Sequence, residues 1–224
     1  MFIKICGITS EADALLAVAV GADAGGFVFA PSKRQVAPTR VADIVKRLPQ
    51  EVLTVGVFRN EMPERVIQVI NQAGLQAAQL HGDEGPDAVA RVKADVRTVF
   101  KAVAAGSSAF QHADQFGADA VLVDAATPGS GQVFDWRLAE DAPSGVPLIM
   151  AGGLDPDNVA EAIAKVQPWG VDVSTGVERS PGVKDPTLMR EFVTAARSAD
   201  LARSPVYEAV GPEPYNWQED ATWR

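Results

Sequence analysis

Eight short apolar segments alternate with amphipathic stretches along most of the chain, and this alternation restricts the fold more than any other feature. Most segments are apolar on both faces, which is typical of parallel strands buried on both sides. They are FIKIC from Phe2, GGFVF from Gly25, VLTVGVF from Val52, AAQLHG from Ala77, RTVFKAV from Arg97, AVLVDA from Ala120, VPLIMAGG from Val146 and GVDVSTG from Gly170. Eight strand–helix pairs in 224 residues predict a closed (β/α)8 barrel of the TIM type, with an open doubly wound sheet as the alternative.

Helix-boundary signals separate the segments. Asp155-Pro156 and Asp185-Pro186 are each predicted to form an N-cap followed by proline at the first helical position. Proline follows Ala37 and Met62 without a strong capping side chain, and glycines stand at three expected helix ends, Gly21, Gly74 and Gly117.

No linker-like segment divides the chain before residue 202, so we expect one barrel domain over residues 1–201. A C-terminal extension over residues 202–224 follows it. This tail contains both tyrosines and two of the four tryptophans of the chain, and aromatic residues are scarce in disordered segments. We therefore expect an extended tail whose aromatic side chains dock between the outer helices or on a neighbouring subunit.

Composition excludes several classes of partner. The 29 acidic residues outnumber the 20 basic ones, which argues against nucleic acid or an anionic membrane as the main partner. Backbone N–H groups and a few basic side chains can still hold a small anion. A single cysteine and two histidines make a closed zinc site unfavourable. Without a membrane-spanning run or the layout of a signal peptide, we expect the chain to work in the cytoplasm.

Alternate residues of a strand face opposite ways, and this rule predicts a polar barrel interior. Assigning the apolar set of each strand to the helix layer turns a group of polar residues inward. The group consists of Lys4, Cys6, Gln79, His81, Lys101, Asp124 and Asp172. Because structural barrel cores favour Val, Ile and Leu, polar residues near the C-terminal strand ends indicate an active site.

Lys4 and Asp172 lie on the first and eighth strands, which are neighbours in a closed barrel. A buried lysine is rarely tolerated unpaired, so we expect the two side chains to pair. The positive charge of Lys4 should also favour the thiolate of Cys6. Alternatively, Lys4 only fills a polar layer of the core.

Two inward residues stand where catalytic groups are expected in this fold. Cys6 ends the first strand within KICGIT, although a lone cysteine can also be a small buried hydrophobe. Asp124 ends the sixth strand before the glycine-rich loop Gly129–Gly131, where a turn-capping role is the alternative.

Two loops fit a phosphate-binding role. Phosphate in this fold is commonly held by the loops after the seventh and eighth strands. Gly152 and Gly153 follow the seventh strand, and Ser174, Thr175 and Gly176 follow the eighth. Their backbone and hydroxyl donors can approach an anion, although each loop alone could be an ordinary turn.

Taken together, these motifs resemble those of the phosphoribosylanthranilate isomerases. The matching segments are KICGIT (residues 4–9), GFVFAPSKR (26–34), VGVF (55–58), QLHGDE (79–84), GSGQVFDW (129–136), AGGLDPDNV (151–159) and DVSTGVERSPGVKD (172–185). The resemblance implies a TIM barrel, a small phosphorylated substrate, 1-(5-phosphoribosyl)anthranilate, and an Amadori rearrangement in tryptophan biosynthesis without metal or cofactor. It is compatible with a monomer or a homodimer.

The resemblance also implies roles for particular residues. Cys6 matches the family's general base, Asp124 its general acid, and Arg34 the arginine expected to meet the anthranilate carboxylate. We expect Lys4, His81 and Asp172 to contribute to substrate binding. The chain departs from the family pattern at Gln35, where an aromatic residue is common, and at Ala125 and Thr175, where serine is common.

The chemistry requires an acid and a base independently of the family. Opening the ribosylamine ring needs a proton on the ring oxygen, and forming the enolamine needs a proton removed from C2′. Groups on the first and sixth strands can flank one sugar. Two rival functions are the related sugar isomerisation of histidine biosynthesis, which usually has an aspartate at the position of Cys6, and a catalytically silent phosphate-binding barrel.

Overall fold

The computed structural model describes residues 1–125, 135–139 and 145–203. Eight parallel strands, each hydrogen-bonded to the next, form a closed barrel, which confirms the predicted (β/α)8 architecture. The strands are β1 (Phe2–Ile5), β2 (Ala24–Val28), β3 (Leu53–Phe58), β4 (Ala77–Leu80), β5 (Thr98–Ala104), β6 (Ala120–Asp124), β7 (Leu148–Met150) and β8 (Gly170–Val173). β1 pairs with β8 over four residues and closes the barrel.

Helices surround the barrel. They are α1 (Glu11–Ala19), α2 (Pro38–Val45), α3 (Pro63–Ala73), α4 (Pro86–Lys93), α5 (Ser108–Gln111), α6 (Val159–Val166) and α7 (Pro186–Arg203). In the part of the chain that the structure describes, three 3-10 turns cover Ala113–Phe116, Trp136–Ala139 and Thr175–Val177. A two-stranded hairpin, β9 (Glu178–Ser180) and β10 (Val183–Lys184), follows β8. None of the helices in the described ranges is long and apolar enough to cross a membrane.

Several predicted helix boundaries are confirmed. Asp185 caps α7, because its Oδ1 accepts hydrogen bonds from the amides of Thr187 at 2.8 Å and Leu188 at 3.1 Å. Proline occupies the start of α2 and α3 as expected, and Gly74 ends α3 in the left-handed conformation. Gly117 also ends an element, although this element is a 3-10 turn.

The predicted boundary at Asp155-Pro156 is wrong by one turn. α6 begins at Val159 and its N-cap is Asn158. The Asp155 carboxylate accepts hydrogen bonds from the amides of Asp157 and Asn158, at 2.9 and 3.0 Å. The Asn158 side chain in turn accepts one from the Asp155 amide at 3.0 Å. This reciprocal turn satisfies the local amides before the helix begins.

The barrel interior below the strand ends is apolar. Phe2 on β1 and Phe100 on β5 lie 6.1 Å apart between ring centroids, and these strands face each other across the barrel. Both rings therefore point inward. Interior positions of the other strands add small and branched residues, namely Ala24, Val55, Ala77, Leu122 and Ile149.

Lys101 was predicted to face the barrel interior, and this prediction is wrong. It lies between Phe100 and Ala102, which face the interior, so it points to the helix layer. Its ammonium lies over the Phe116 ring and donates to the Leu80 carbonyl. The parity rule separated the two faces of β5 correctly, but the assumption that the apolar face points outward was wrong for this strand.

The last described helix ends at Arg203, two residues beyond the predicted end of the barrel domain. The tail over residues 204–224, with all its aromatic side chains, lies outside the described residues, as does the loop Gly129–Gly131.

Candidate active site

A buried ion pair crosses the junction of β1 and β8. Lys4 Nζ donates to Asp172 Oδ1 at 2.8 Å, which confirms the predicted pairing. The Lys4 side chain is fully buried. Burial lowers the pKa of Lys4, but the charges and hydrogen bonds of Asp172 and Cys6 outweigh burial and raise it above its usual value. Lys4 is therefore an ammonium ion beneath the site.

Cys6 immediately follows β1, where its amide donates to the Val173 carbonyl at 2.8 Å. Its neighbour on β2 is Gly26, where an added Cβ would lie only 2.9 Å from the Cys6 sulfur. Burial raises the pKa of the Cys6 thiol, and Lys4 and Lys184 oppose this shift only in part. The expected effect of Lys4 on the pKa of Cys6 thus has the correct sign, but burial outweighs it.

Asp124, at the end of β6, is joined to two residues at the end of β4. Gln79 Nε2 lies 2.8 Å from His81 Nδ1, and His81 Nε2 lies 3.2 Å from Asp124 Oδ2. The Gln79 amide nitrogen can only donate, so His81 Nδ1 accepts and the neutral ring has its proton on Nε2, the atom that faces Asp124. Asp124 Oδ1 also accepts from the Ala125 amide at 2.7 Å, so the aspartate caps its own loop besides facing His81.

Arg34, in the loop after β2, lies across the backbone of Gly7. Gly7 has a φ of +75°, and an added Cβ would lie 2.5 Å from Arg34 Cδ. Only glycine therefore fits beside Cys6 at this position. The guanidinium forms a bidentate pair with Glu178, with Nε at 2.7 Å and Nη2 at 2.8 Å from the two carboxylate oxygens. Nη2 also donates to Thr175 Oγ1 at 3.2 Å.

Two residues of the β9–β10 hairpin whose side chains are buried were not predicted as part of the site. Glu178 pairs with Arg34, and Lys184 donates to Glu178 Oε1 at 3.1 Å and to the Ser174 carbonyl at 2.9 Å. Burial alone would raise the pKa of Glu178, but Arg34 and Lys184 hold it below its usual value. The Ser180-Pro181-Gly182 sequence is a turn signal that would have predicted the hairpin, although not its partners.

The two expected phosphate loops pack directly against each other. Gly152 and Gly153 both have positive φ, at +78° and +69°. An added Cβ at Gly176 would lie 2.0 Å from the Leu154 carbonyl oxygen, so glycine is required where the loops touch. The Asn158 side chain holds the first loop by donating to the Gly153 carbonyl at 2.9 Å.

A cavity of about 480 Å³ opens above these groups at the C-terminal ends of the strands. This volume is typical of a small-molecule site. Seven of the predicted site residues line it, namely Cys6, Arg34, His81, Asp124, Asp172, Ser174 and Thr175. Lys4 is buried beneath the cavity, and Gly152, Gly153 and Gly176 shape the adjoining loops without lining it. Within the described ranges, no cluster of three or more His, Cys, Asp or Glu residues could hold a metal ion.

Known proteins share this architecture and sequence over most of the chain. A family model described as N-(5'phosphoribosyl)anthranilate (PRA) isomerase matches residues 3–195. The N-(5'-phosphoribosyl)anthranilate isomerase of Desulforudis audaxviator is 47% identical over 201 residues, covering 88% of this chain and 98% of that protein. The crystal structure of the phosphoribosyl anthranilate isomerase from Thermus thermophilus superposes with a TM-score of 0.84 at 39% identity, covering 88% of this chain and 99% of that one.

The corresponding Thermotoga maritima enzyme superposes with a TM-score of 0.83 at 39% identity, again over 88% of this chain and 99% of that one. The family match extends from the strand that carries Lys4 to the last described helix, so it includes every element that builds the cavity. The chain belongs to the N-(5'-phosphoribosyl)anthranilate isomerase family.

Proposed function

We propose that the protein isomerises N-(5′-phosphoribosyl)anthranilate to 1-(2-carboxyphenylamino)-1-deoxyribulose 5-phosphate in tryptophan biosynthesis, with Cys6 as base and Asp124 as acid. One observation carries the assignment of roles: the two groups end different strands, β1 and β6, and line the same cavity. A related isomerase, 37% identical, has been crystallised with reduced 1-(o-carboxyphenylamino)-1-deoxyribulose 5-phosphate, an analogue of this product.

The acid acts first. Asp124 gives a proton to the ring oxygen as the C1′–O bond breaks, which opens the sugar to an iminium ion. The carboxylate that forms is stabilised by the hydrogen bond that His81 donates from Nε2 at 3.2 Å. Gln79 supports this donor, because its amide occupies the other ring nitrogen.

The base acts next. Cys6 removes the proton from C2′ as a thiolate, and the electrons of the C–H bond neutralise the iminium to give the enolamine. Transfer of the enol proton to C1′ then gives the ketone. The proton taken up by Cys6 is released to solvent and Asp124 takes one up again, so the pair is restored and the reaction is a net isomerisation. Lys4 stabilises the thiolate, since it is a fully buried cation whose charge lowers the pKa of Cys6.

The two ends of the substrate are anionic, and cations lie in this part of the site. They are Lys4, Arg34 and Lys184, which pair with the carboxylates of Asp172 and Glu178. We place the phosphate between Gly153 and the segment Ser174–Gly176, and the anthranilate carboxylate at Arg34. Every described group in this arrangement comes from one chain, so the site is compatible with either a monomer or a homodimer. We also assign the protein to the cytoplasm, because Cys6 must stay reduced to act as a base.

The test is turnover of freshly prepared phosphoribosylanthranilate by the purified protein, followed by the fluorescence of the anthranilate group. Cys6→Ala and Asp124→Asn should each lower kcat by about 10²–10⁴-fold while leaving much of the substrate affinity. Asp87→Asn, at an exposed position on α4, is the matched control. Near-native kcat in either active-site variant would show that the assigned role is wrong.

A further inference from the structure

The β9–β10 hairpin ties together loops that follow three different strands. Its Gly182 carbonyl accepts a hydrogen bond from Thr9 Oγ1, in the loop after β1, at 2.6 Å. Glu178 holds Arg34, in the loop after β2, and Lys184 holds the Ser174 carbonyl after β8. Both charged hairpin side chains are almost inaccessible, with 3% of Glu178 and none of Lys184 exposed. The reaction described above uses neither of them directly.

Glu178 determines which edge of Arg34 remains for a ligand. Its carboxylate occupies Nε and Nη2 of the guanidinium, and Nη2 is shared with Thr175. Among the described residues, no hydrogen-bond partner occupies Nη1. The planar guanidinium is thereby fixed with Nη1 as its free end, and that end belongs to a side chain that lines the cavity.

Lys184 is one of two groups that orient the peptide between Ser174 and Thr175, the other being the Val177 amide, which donates to the Ser174 carbonyl at 3.5 Å. Its ammonium donates to the Ser174 carbonyl oxygen at 2.9 Å. In a trans peptide the carbonyl and the following N–H point in opposite directions, so the Thr175 N–H is directed away from Lys184. Thr175 therefore has its hydroxyl fixed by Arg34 and its backbone N–H fixed by Lys184.

We infer that Glu178 and Lys184 are positioning residues that couple the two anion-binding ends of the site, Glu178 acting through Arg34 and Lys184 through the Ser174–Thr175 peptide. This inference rests on the proposed function, which places the carboxylate at Arg34 and the phosphate at Ser174–Gly176. Thr175 is the physical link, since it contacts Arg34 and also belongs to the phosphate loop. The two ends of the substrate should therefore bind cooperatively.

A double-mutant cycle tests the role of Glu178. Glu178→Gln should raise KM about 10-fold or more, with kcat changed far less, which is the size expected when a charged hydrogen-bonded partner is lost. If Glu178 acts through Arg34, adding Glu178→Gln to Arg34→Met should raise KM little beyond the value of Arg34→Met alone. Effects on KM that multiply would overturn this half of the inference.

Binding of inorganic phosphate, measured by calorimetry, tests the role of Lys184. Lys184→Met should fold, because Arg34 and Glu178 remain as a neutral pair, and it should weaken phosphate binding about 10-fold. Lys165→Met is the matched control, since it breaks an exposed pair with Glu161 on α6 and should leave phosphate affinity unchanged. An unchanged phosphate affinity in Lys184→Met would refute the role of Lys184.

Two other results test the proposed function independently of the roles of Glu178 and Lys184. A wild-type protein without isomerase turnover, or an Arg34→Met variant with native KM, would refute the assignment of the site itself.

If Glu178→Gln is unstable because Arg34 and Lys184 are left without an anion, the Glu178→Gln/Lys184→Met double variant removes one of these cations. This double variant should fold. Its KM should be raised as in Glu178→Gln, and its phosphate binding should be weakened as in Lys184→Met. Native values for both would overturn the inference.

Discussion

Gln79 on β4 and His81, which directly follows this strand, meet through the Gln79 amide and the Nδ1 atom of the ring at 2.8 Å. Because the amide donates, Nδ1 must accept, and the ring proton is held on Nε2, where it faces Asp124 at 3.2 Å. Gln79 is completely buried, and its carbonyl oxygen has no hydrogen-bond partner among the described residues. Its amide therefore contributes to the site mainly through the proton position that it selects on His81.

Replacing Gln79 should allow the ring proton of His81 to occupy either nitrogen. In Gln79→Leu, His81 should populate both neutral tautomers, and kcat should fall in proportion to the lost fraction of the Nε2–H tautomer, about 2-fold when the two are equally populated. Nitrogen NMR shifts of the imidazole report the tautomer directly, and the chain has only two histidines to resolve. His112→Gln, at an exposed position just after α5 and outside the cavity lining, assigns the signals and serves as the control. A single Nε2–H tautomer retained in Gln79→Leu would contradict this account.

Removing Lys4 should have two measurable effects. Lys4→Met leaves Asp172 as a buried charge without its ammonium partner, which typically costs about 3–5 kcal/mol of stability. Lys4 lowers the pKa of Cys6, so its loss should move the alkylation of Cys6 by iodoacetamide to higher pH. Lys4→Met/Asp172→Asn removes both charges and separates the cost of the unpaired carboxylate from the effect on the thiol. An unchanged alkylation profile would reject the electrostatic role of Lys4.

The pH dependence of unfolding should reveal the buried thiol. The pKa of Cys6 is raised in the folded protein, so the stability linked to it is complete below the ordinary thiol pKa of about 8.5. That stability is lost as the pH rises towards the folded pKa, because the unfolded chain then releases its proton first. Denaturant unfolding from neutral to alkaline pH should therefore show a smaller decline in Cys6→Ala than in the wild-type protein. Parallel curves would show that the folded thiol titrates like an exposed one.

A methyl group at Gly176 should disturb the two loops proposed to hold the phosphate without touching the proposed acid–base pair, Cys6 and Asp124. The added Cβ would lie 2.0 Å from the Leu154 carbonyl oxygen, so Gly176→Ala must separate the two loops. We expect a KM at least about 10-fold higher and a smaller change in kcat, since transition-state groups remain in place. Gly85→Ala is the control, because an added Cβ there has nothing within 4 Å. A crystal of the wild-type protein with sulfate bound at the opposite face of the barrel would contradict the location of the phosphate.

The barrel and its central pairs could be predicted because they follow from short-range periodicity and closure. Once eight strands close, Lys4 and Asp172 become neighbours, and the alternation of side chains places them on one face. Lys101 was misplaced because alternation separates two faces without saying which one points inward. A capping rule also cannot predict the turn at Asp155, because this turn depends on a hydrogen bond to the side chain of Asn158.

The hairpin residues were missed for a different reason. Glu178 is separated from Arg34 by 144 positions, and no local pattern marks either of them as the partner of the other. In the sequence, Lys184 is a basic residue beside a turn and nothing predicts its burial, although its side chain is fully buried in the fold. Such long-range contacts between loops depend on the three-dimensional course of the chain, which alternation and helix capping do not encode.

The pairing of β8 with β1 determines how late in protein synthesis the active site can be completed. Lys4 leaves the ribosome early, but its counter-ion Asp172 follows 168 residues later. Until then the nascent chain carries a lysine that cannot be buried with its charge neutralised, and the sites for both ends of the substrate are incomplete. Contacts of such sequence separation also slow folding, because a long loop must close before they form. Premature termination before β8 should therefore yield inactive chains that are substrates for proteolysis, not partially active enzymes.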